Sequence, residues 1–190
     1  MNRTQNRQGQ LRIIGGRWRS RMLPVIEQPG LRPTPDRVRE TLFNWLQAEI
    51  PGSRCLDLFT GSGALGFEAA SRGAEQVTLL ENQPATCHIL SENIKTLSAN
   101  NIELLQQDAL VWLNNSGQTY HVVFVDPPYD SDFLAEICQK LEINHWLSDR
   151  AFIYIELSSE QELPELPPNW QIIRGKKAGQ VGYYLAQREV

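Results

Sequence analysis

A chain of 190 residues with 41% hydrophobic and 21% charged residues suits one soluble globular domain that buries roughly 70% of its unfolded surface. Residues 1–10 are polar and arginine-bearing, without the apolar core of a secretory signal. No apolar run approaches the roughly 20 residues needed to cross a bilayer, so cytoplasmic residence is expected. The net charge of −4 hides an asymmetry: residues 1–40 hold nine of the eighteen basic residues, all arginine, against three acids. The remainder is therefore net acidic by ten. A basic arm on an acidic body is poor at general polyanion binding and suited to one oriented docking.

Residues 11–16 and 21–26 read as two short strands joined through Gly15-Gly16, a basic hairpin. After Pro29-Gly30, Thr34 is placed to cap a helix that starts at Pro35, with Asp36 favourable to its dipole. Val38, Leu42, Trp45 and Leu46 form its apolar stripe, and Arg37 and Arg39 are expected away from that stripe. From residue 53 strands and helices alternate. Strands are predicted over 55–59, 76–81, 102–106, 122–125 and 151–157, and helices over 64–72, 84–97 and about 132–141. Residues 171–177 and 181–187 read as two final strands joined near Ala178-Gly179. This pattern predicts an α/β, Rossmann-like, mostly parallel sheet with helices on both faces. An arm, hairpin and helix over 1–50 would pack on a core over 51–190.

Cys55, Cys87 and Cys138 are odd in number, far apart and set among apolar neighbours. They show no metal-ligand spacing with His88, His121 or His145, so neither a disulfide nor a metal site is expected.

Parallel sheets bind ligands beyond the carboxyl ends of their strands. There the chain places Asp57-Leu58-Phe59-Thr60-Gly61-Ser62-Gly63, a glycine loop opening a helix, whose N–H groups favour a carboxylate. The run Gly61 to Gly66 also fits a dinucleotide fingerprint, but Asp57 ahead of it would repel a pyrophosphate and suits an ammonium group. Glu81 ends the next strand, where a carboxylate can accept two ribose hydroxyls. Asp108-Ala109 follows the third, within reach of an adenine. An adenosine bearing an amino acid, S-adenosylmethionine, satisfies all of these groups. The candidate cofactor residues are Asp57, Phe59, Thr60, Gly61, Ser62, Gly63, Glu81, Asn82, Asp108 and Ala109.

The fourth strand ends in Asp126-Pro127-Pro128-Tyr129. Two prolines stiffen the backbone and donate no N–H, leaving a row of acceptors beside a flat ring. Such a corner suits an amino group on a planar base. Asp126, Pro127, Pro128 and Tyr129 are the candidate catalytic residues.

The whole constellation resembles the seven-stranded S-adenosylmethionine-dependent methyltransferases, and its tetrapeptide looks like the motif of their exocyclic-amine branch. Three further segments are similar to the RsmD family: 12–19 (Arg-Ile-Ile-Gly-Gly-Arg-Trp-Arg), 31–44, which begins Leu-Arg-Pro-Thr-Pro-Asp, and 178–183 (Ala-Gly-Gln-Val-Gly-Tyr). The resemblance covers almost the whole chain from about Leu11. It implies a bacterial 16S rRNA guanine-N2 methyltransferase acting on guanine 966, with 16S rRNA in an assembling or assembled small subunit as partner.

The expected chemistry is direct, in-line transfer to a flipped-out base, with Asp126 and the Pro127 carbonyl holding the amine hydrogens and Tyr129 stacking. Arg12, Arg17, Arg19, Arg32, Arg37 and Arg39 are expected to contact rRNA phosphates. A monomer without metal is expected. A DNA adenine-N6 methyltransferase would share the tetrapeptide, and a nicotinamide-dependent oxidoreductase could use the glycine loop. The latter would need neither Asp57 nor the proline pair.

Overall fold

The computed structural model describes residues 8–26, 34–128 and 133–190. Strands β1 (Gln8–Arg12) and β2 (Met22–Ile26) pair antiparallel around a tight turn at Gly16–Trp18, so the predicted hairpin is present, with its first strand ending at Arg12 and not at Gly16. Helix α1 (Asp36–Trp45) follows. The core then runs β3 (Arg54–Asp57), α2 (Ala64–Ser71), β4 (Gln76–Glu81), α3 (Pro84–Leu97), β5 (Ile102–Gln106), α4 (Ala109–Trp112) and β6 (Tyr120–Val125). It ends with α5 (Leu134–Ile143), β7 (Leu147–Ser158), β8 (Trp170–Ala178) and β9 (Val181–Arg188).

These strands form one seven-stranded sheet in the order β5-β4-β3-β6-β7-β9-β8. All neighbours are parallel except β9, which runs antiparallel to β7 and β8. The winding reverses between β3 and β6, so the crevice for a ligand opens past Asp57 and Val125. Residues Val122 to Val125 are buried without alternation, because helices cover both faces of the sheet. One apolar cluster joins the hairpin, α1, α2 and α3 to one face, and a second joins α4 and α5 to the other. Cys55, Cys87 and Cys138 are all buried. Among the described residues no helix is long and apolar enough to cross a membrane.

Every residue of α2 is buried. A helix buried all round needs a cover on its outer side, and here the hairpin supplies it. The link is the carboxylate of Glu68, at 0% exposure. It accepts the backbone N–H groups of Ile14 and Gly15, each at 2.8 Å, and Nε of Arg72 at 2.7 Å. One turn on, Ser71 Oγ accepts from Trp18 N at 3.0 Å and donates to the Gly15 carbonyl at 2.6 Å. The approach is so close that a Cβ on Gly16, whose φ is +76°, would lie 1.9 Å from the Ser71 carbonyl oxygen. Only glycine fits there.

Arg39 departs from expectation. Its place in α1 is not on the solvent side: it is 1% exposed, wedged between α1, the hairpin and α2. Its Nη2 donates to the Arg12 carbonyl at 3.0 Å and to Asp36 Oδ1 at 2.6 Å, and Nη1 lies 4.0 Å from Glu68. A buried anion on α2 makes burial of a cation on α1 tolerable. Arg39 is therefore committed to the arm's seat and is withdrawn from the set facing a phosphate.

Removing one partner of such a buried network leaves the others uncompensated. Glu68→Ala should cost about 3–5 kcal/mol in urea unfolding. Amide exchange of residues 11–26 should accelerate in the same variant. Hairpin protection that survives unchanged would show that the arm is seated by apolar contacts alone.

Candidate active site

The loop after β3 is held from beneath. Asp57 is 2% exposed, and its Oδ2 accepts the Gly66 N–H at 3.0 Å. Thr60, buried, donates its hydroxyl to the Asp57 carbonyl at 3.2 Å and its N–H to the Leu80 carbonyl at 3.0 Å. Gly63 begins α2 with φ +82°, and a Cβ there would meet the Phe67 ring at 2.4 Å. Glu81, half-buried, accepts from Gly61 N at 3.0 Å through Oε2 and from Gln83 N at 2.7 Å through Oε1. The predicted strand-end acids thus first shape the loops around them. Asp57 braces the glycine loop instead of standing open to a ligand. Glu81 ties that loop to the start of α3 and, as a carboxylate with further lone pairs, keeps acceptor capacity. Asn82 is exposed beside it, while Phe59 and Ser62 are half-buried. Asp108 caps α4, accepting from Val111 N at 3.0 Å, and Ala109 is buried.

Across the switch point, β6 pairs with β7 so that Val125 lies opposite Ile155. The next residues, Asp126 and Glu156, therefore extend from neighbouring strands. Asp126 is half-buried, Pro127 buried and Pro128 exposed. Glu156 is 1% exposed and accepts from the Tyr154 hydroxyl at 2.7 Å. Thr34, expected to cap α1, makes no such bond; Pro35 occupies the cap position. Its hydroxyl instead lies 3.4 Å from Asp126 Oδ2 and 3.3 Å from Glu156 Oε2. Two carboxylates on the sheet compete with α1 for this hydroxyl, and they hold it.

Carboxylates crowded in this way resist ionisation. Burial, with Glu81 adding to it, pushes the Asp57 carboxyl up to about 7, against the pull of the Gly66 and Phe59 N–H groups. Burial also raises Asp126 well above the ordinary carboxylate range, and the charges of Glu156 and Asp57 raise it further, opposed by the Thr34 hydroxyl. Among the described residues no three His, Cys, Asp or Glu side chains are grouped as a metal site. A crevice of this kind suits a cationic ligand, since a positive charge there would relieve the repulsion.

Asp57, Asp126 and Glu156 come together, with Glu81 close to the Asp57 loop. Glu156, Tyr154 and the role of Thr34 were not anticipated from sequence. Tyr129 and Arg32 lie outside the described residues. Arg12, Arg17, Arg19 and Arg37 are exposed as expected. Arg17 stacks over Trp18, 4.1 Å from the ring centroid, and bonds Asn101 Oδ1.

Comparisons with known proteins agree with this architecture. The family described as Conserved hypothetical protein 95 matches residues 11–187. The Ribosomal RNA small subunit methyltransferase D of Escherichia coli is 52% identical over 181 residues, covering 95% of this chain and 91% of that protein. Its Haemophilus influenzae namesake is 44% identical over 188 residues, covering 97% of each. The solved structure of yhhF from Escherichia coli superposes with a TM-score of 0.90 at 49% identity, covering 95% of this chain and 99% of that one. The chain belongs to the Conserved hypothetical protein 95 family, the RsmD family that its motifs resemble.

Proposed function

We propose that this chain transfers a methyl group from S-adenosylmethionine to the exocyclic N2 amine of a guanine in small-subunit ribosomal RNA. The observation that carries the reading is the Asp126-Pro127-Pro128 corner beside the acid-lined crevice. Relatives named as small-subunit rRNA methyltransferases, at 52% and 44% identity, support the RNA class.

The crevice fits the donor on two counts: its crowded carboxyls favour a positive charge, and the glycine loop brings the amino end of α2 to the same strand ends. When bound, S-adenosylmethionine supplies the methyl and a neutral thioether leaving group. Asp57 and Glu81 hold the loop in shape around it, and Glu81, Asn82, Asp108 and Ala109 line the nucleoside side.

A guanine amine is a weak nucleophile because its lone pair is delocalised into the ring. Asp126 and the Pro127 carbonyl accept its two hydrogens, which favours a pyramidal nitrogen with its lone pair free for attack. The amine would take the methyl that the donor supplies, with the thioether as leaving group, and Asp126 would receive the surplus proton. The stabilisation is greatest in the transition state. Tyr129 stacks on the extruded base, and Arg12, Arg17, Arg19, Arg32 and Arg37 hold the flanking phosphates.

Asp126→Ala should lower single-turnover methyl transfer to ribosomal particles by about a hundredfold or more, with donor affinity nearly unchanged. A rate near wild type would refute the role of Asp126. Replacing Arg12, Arg17, Arg19 and Arg37 together by Ala should flatten the salt dependence of RNA binding, each lost phosphate contact removing about 0.7–0.9 from the logarithmic slope. An unchanged slope would move the RNA surface elsewhere.

The raised Asp57 value makes a separate prediction. Its proton stabilises the fold fully below the ordinary carboxylate range, and that contribution is lost as pH rises through about 7. Ligand-free wild type should therefore lose melting temperature between pH 5 and 8, and Asp57→Asn should lose less. Parallel curves would contradict the assignment.

A further inference from the structure

We propose that Thr34 and Glu156 are positioning residues for Asp126, so that the seating of the amino-terminal arm sets the direction and the proton of the catalytic carboxyl. The inference rests on the function proposed for Asp126, and it concerns two residues that do not themselves meet the substrate.

Thr34 Oγ1 stands between Asp126 Oδ2 at 3.4 Å and Glu156 Oε2 at 3.3 Å. A hydroxyl carries one hydrogen, so it serves both oxygens fully only when one carboxyl brings a proton of its own. The Tyr154 hydroxyl, at 2.7 Å, donates to the same oxygen of Glu156. Tyr154 is 0% exposed and Glu156 1%, so this pair is fixed within β7. Asp126 is half-buried at the mouth of the crevice. The three groups therefore form a short chain: an anchored acid, a bridging hydroxyl, and an acid that faces the reacting amine.

The bridge comes from a distant part of the sequence. Thr34 lies two residues before the start of α1, whose Arg39 reaches the Arg12 carbonyl and lies near Glu68. A hydroxyl delivered by the arm thus joins β6 to β7. When the arm is seated, Asp126 keeps its oxygen toward Thr34 and turns the other toward the crevice. When it is not, Asp126 faces Glu156 and Asp57 without the donor. Among the described residues the charged groups facing Asp126 are Asp57 from β3 and Glu156 from β7, and the Thr34 hydroxyl opposes them. Loss of Glu156's charge and loss of the hydroxyl therefore act on Asp126 in opposite directions.

The test follows Asp126 directly. Full-length protein with carbon-13 carboxyl-labelled aspartate is titrated by NMR without RNA, the Asp126 signal being assigned by its absence in Asp126→Asn. Glu156→Gln should move the Asp126 midpoint to lower pH. Thr34→Val should move it higher, and Thr34→Ser should restore the wild-type value. In methyl transfer the acidic limb of the rate profile should shift in the same sense, with kcat falling while KM for RNA holds.

A midpoint that stays at the wild-type value in both Glu156→Gln and Thr34→Val overturns the proposal. So does a shift in the same direction for both. If Glu156→Gln does not fold, the contrast of Thr34→Val with Thr34→Ser decides alone. If the midpoints shift as expected while wild type transfers no methyl to rRNA, the functional reading fails and the coupling of Thr34 and Glu156 to Asp126 stands.

Discussion

A buried carboxylate sits inside this protein, and much else is arranged around it. Glu68 has no exposure, and neighbours replace water at its oxygens: two backbone N–H groups of the hairpin and the guanidinium of Arg72, with Arg39 close by. That demand explains why a helix with no polar face is tolerated on the sheet. It explains why two glycines are needed where the hairpin meets Ser71, and why an arginine is buried in α1. The arm is thereby a part of the fold before it is a surface for any partner. Its seat also delivers Thr34 to the crevice.

The second organising force is repulsion among acids. Strand ends on one side of a parallel sheet bring Asp57, Glu81, Asp126 and Glu156 toward one crevice. Each is partly neutralised by local donors: Gly66 for Asp57, Gly61 and Gln83 for Glu81, Tyr154 and Thr34 for Glu156. Burial first, and the neighbouring charges after it, raise the Asp57 and Asp126 carboxyls above the ordinary carboxylate range. A positive charge placed in such a region would relieve the repulsion.

The framework was legible where local signals agree. β4, α3 and β5 begin and end where Gly73, Pro84 and the apolar runs place them, since turn chemistry and periodicity point the same way. β7 starts four residues earlier than expected because Leu147 pairs with Tyr120 across a register shift, and pairing has no local signature. α4, a single turn, is too short for periodicity to show. In the site, the strand-end acids were readable from position alone. Thr34 was misread because capping is a local rule, and two acceptors roughly a hundred residues away outcompeted it. Arg39 was misread because an arginine ordinarily belongs in water: Asp36 stands close in sequence, but the Arg12 carbonyl and Glu68 that also meet it lie on other elements. Glu156 stands in an apolar strand; Tyr154, two residues before it, is one partner, but the other, Thr34, lies far away in sequence.

β8 closes the sheet with its outer edge unpaired by any described strand, and it carries Arg174, Lys176 and Lys177, all exposed. Among the described residues none of the three has a carboxylate within ion-pair distance. An antiparallel meeting of two such edges would set three cations of one molecule against three of the other. Mutual repulsion thus guards the longer of the sheet's two described edges, a row of backbone groups that could otherwise template self-association.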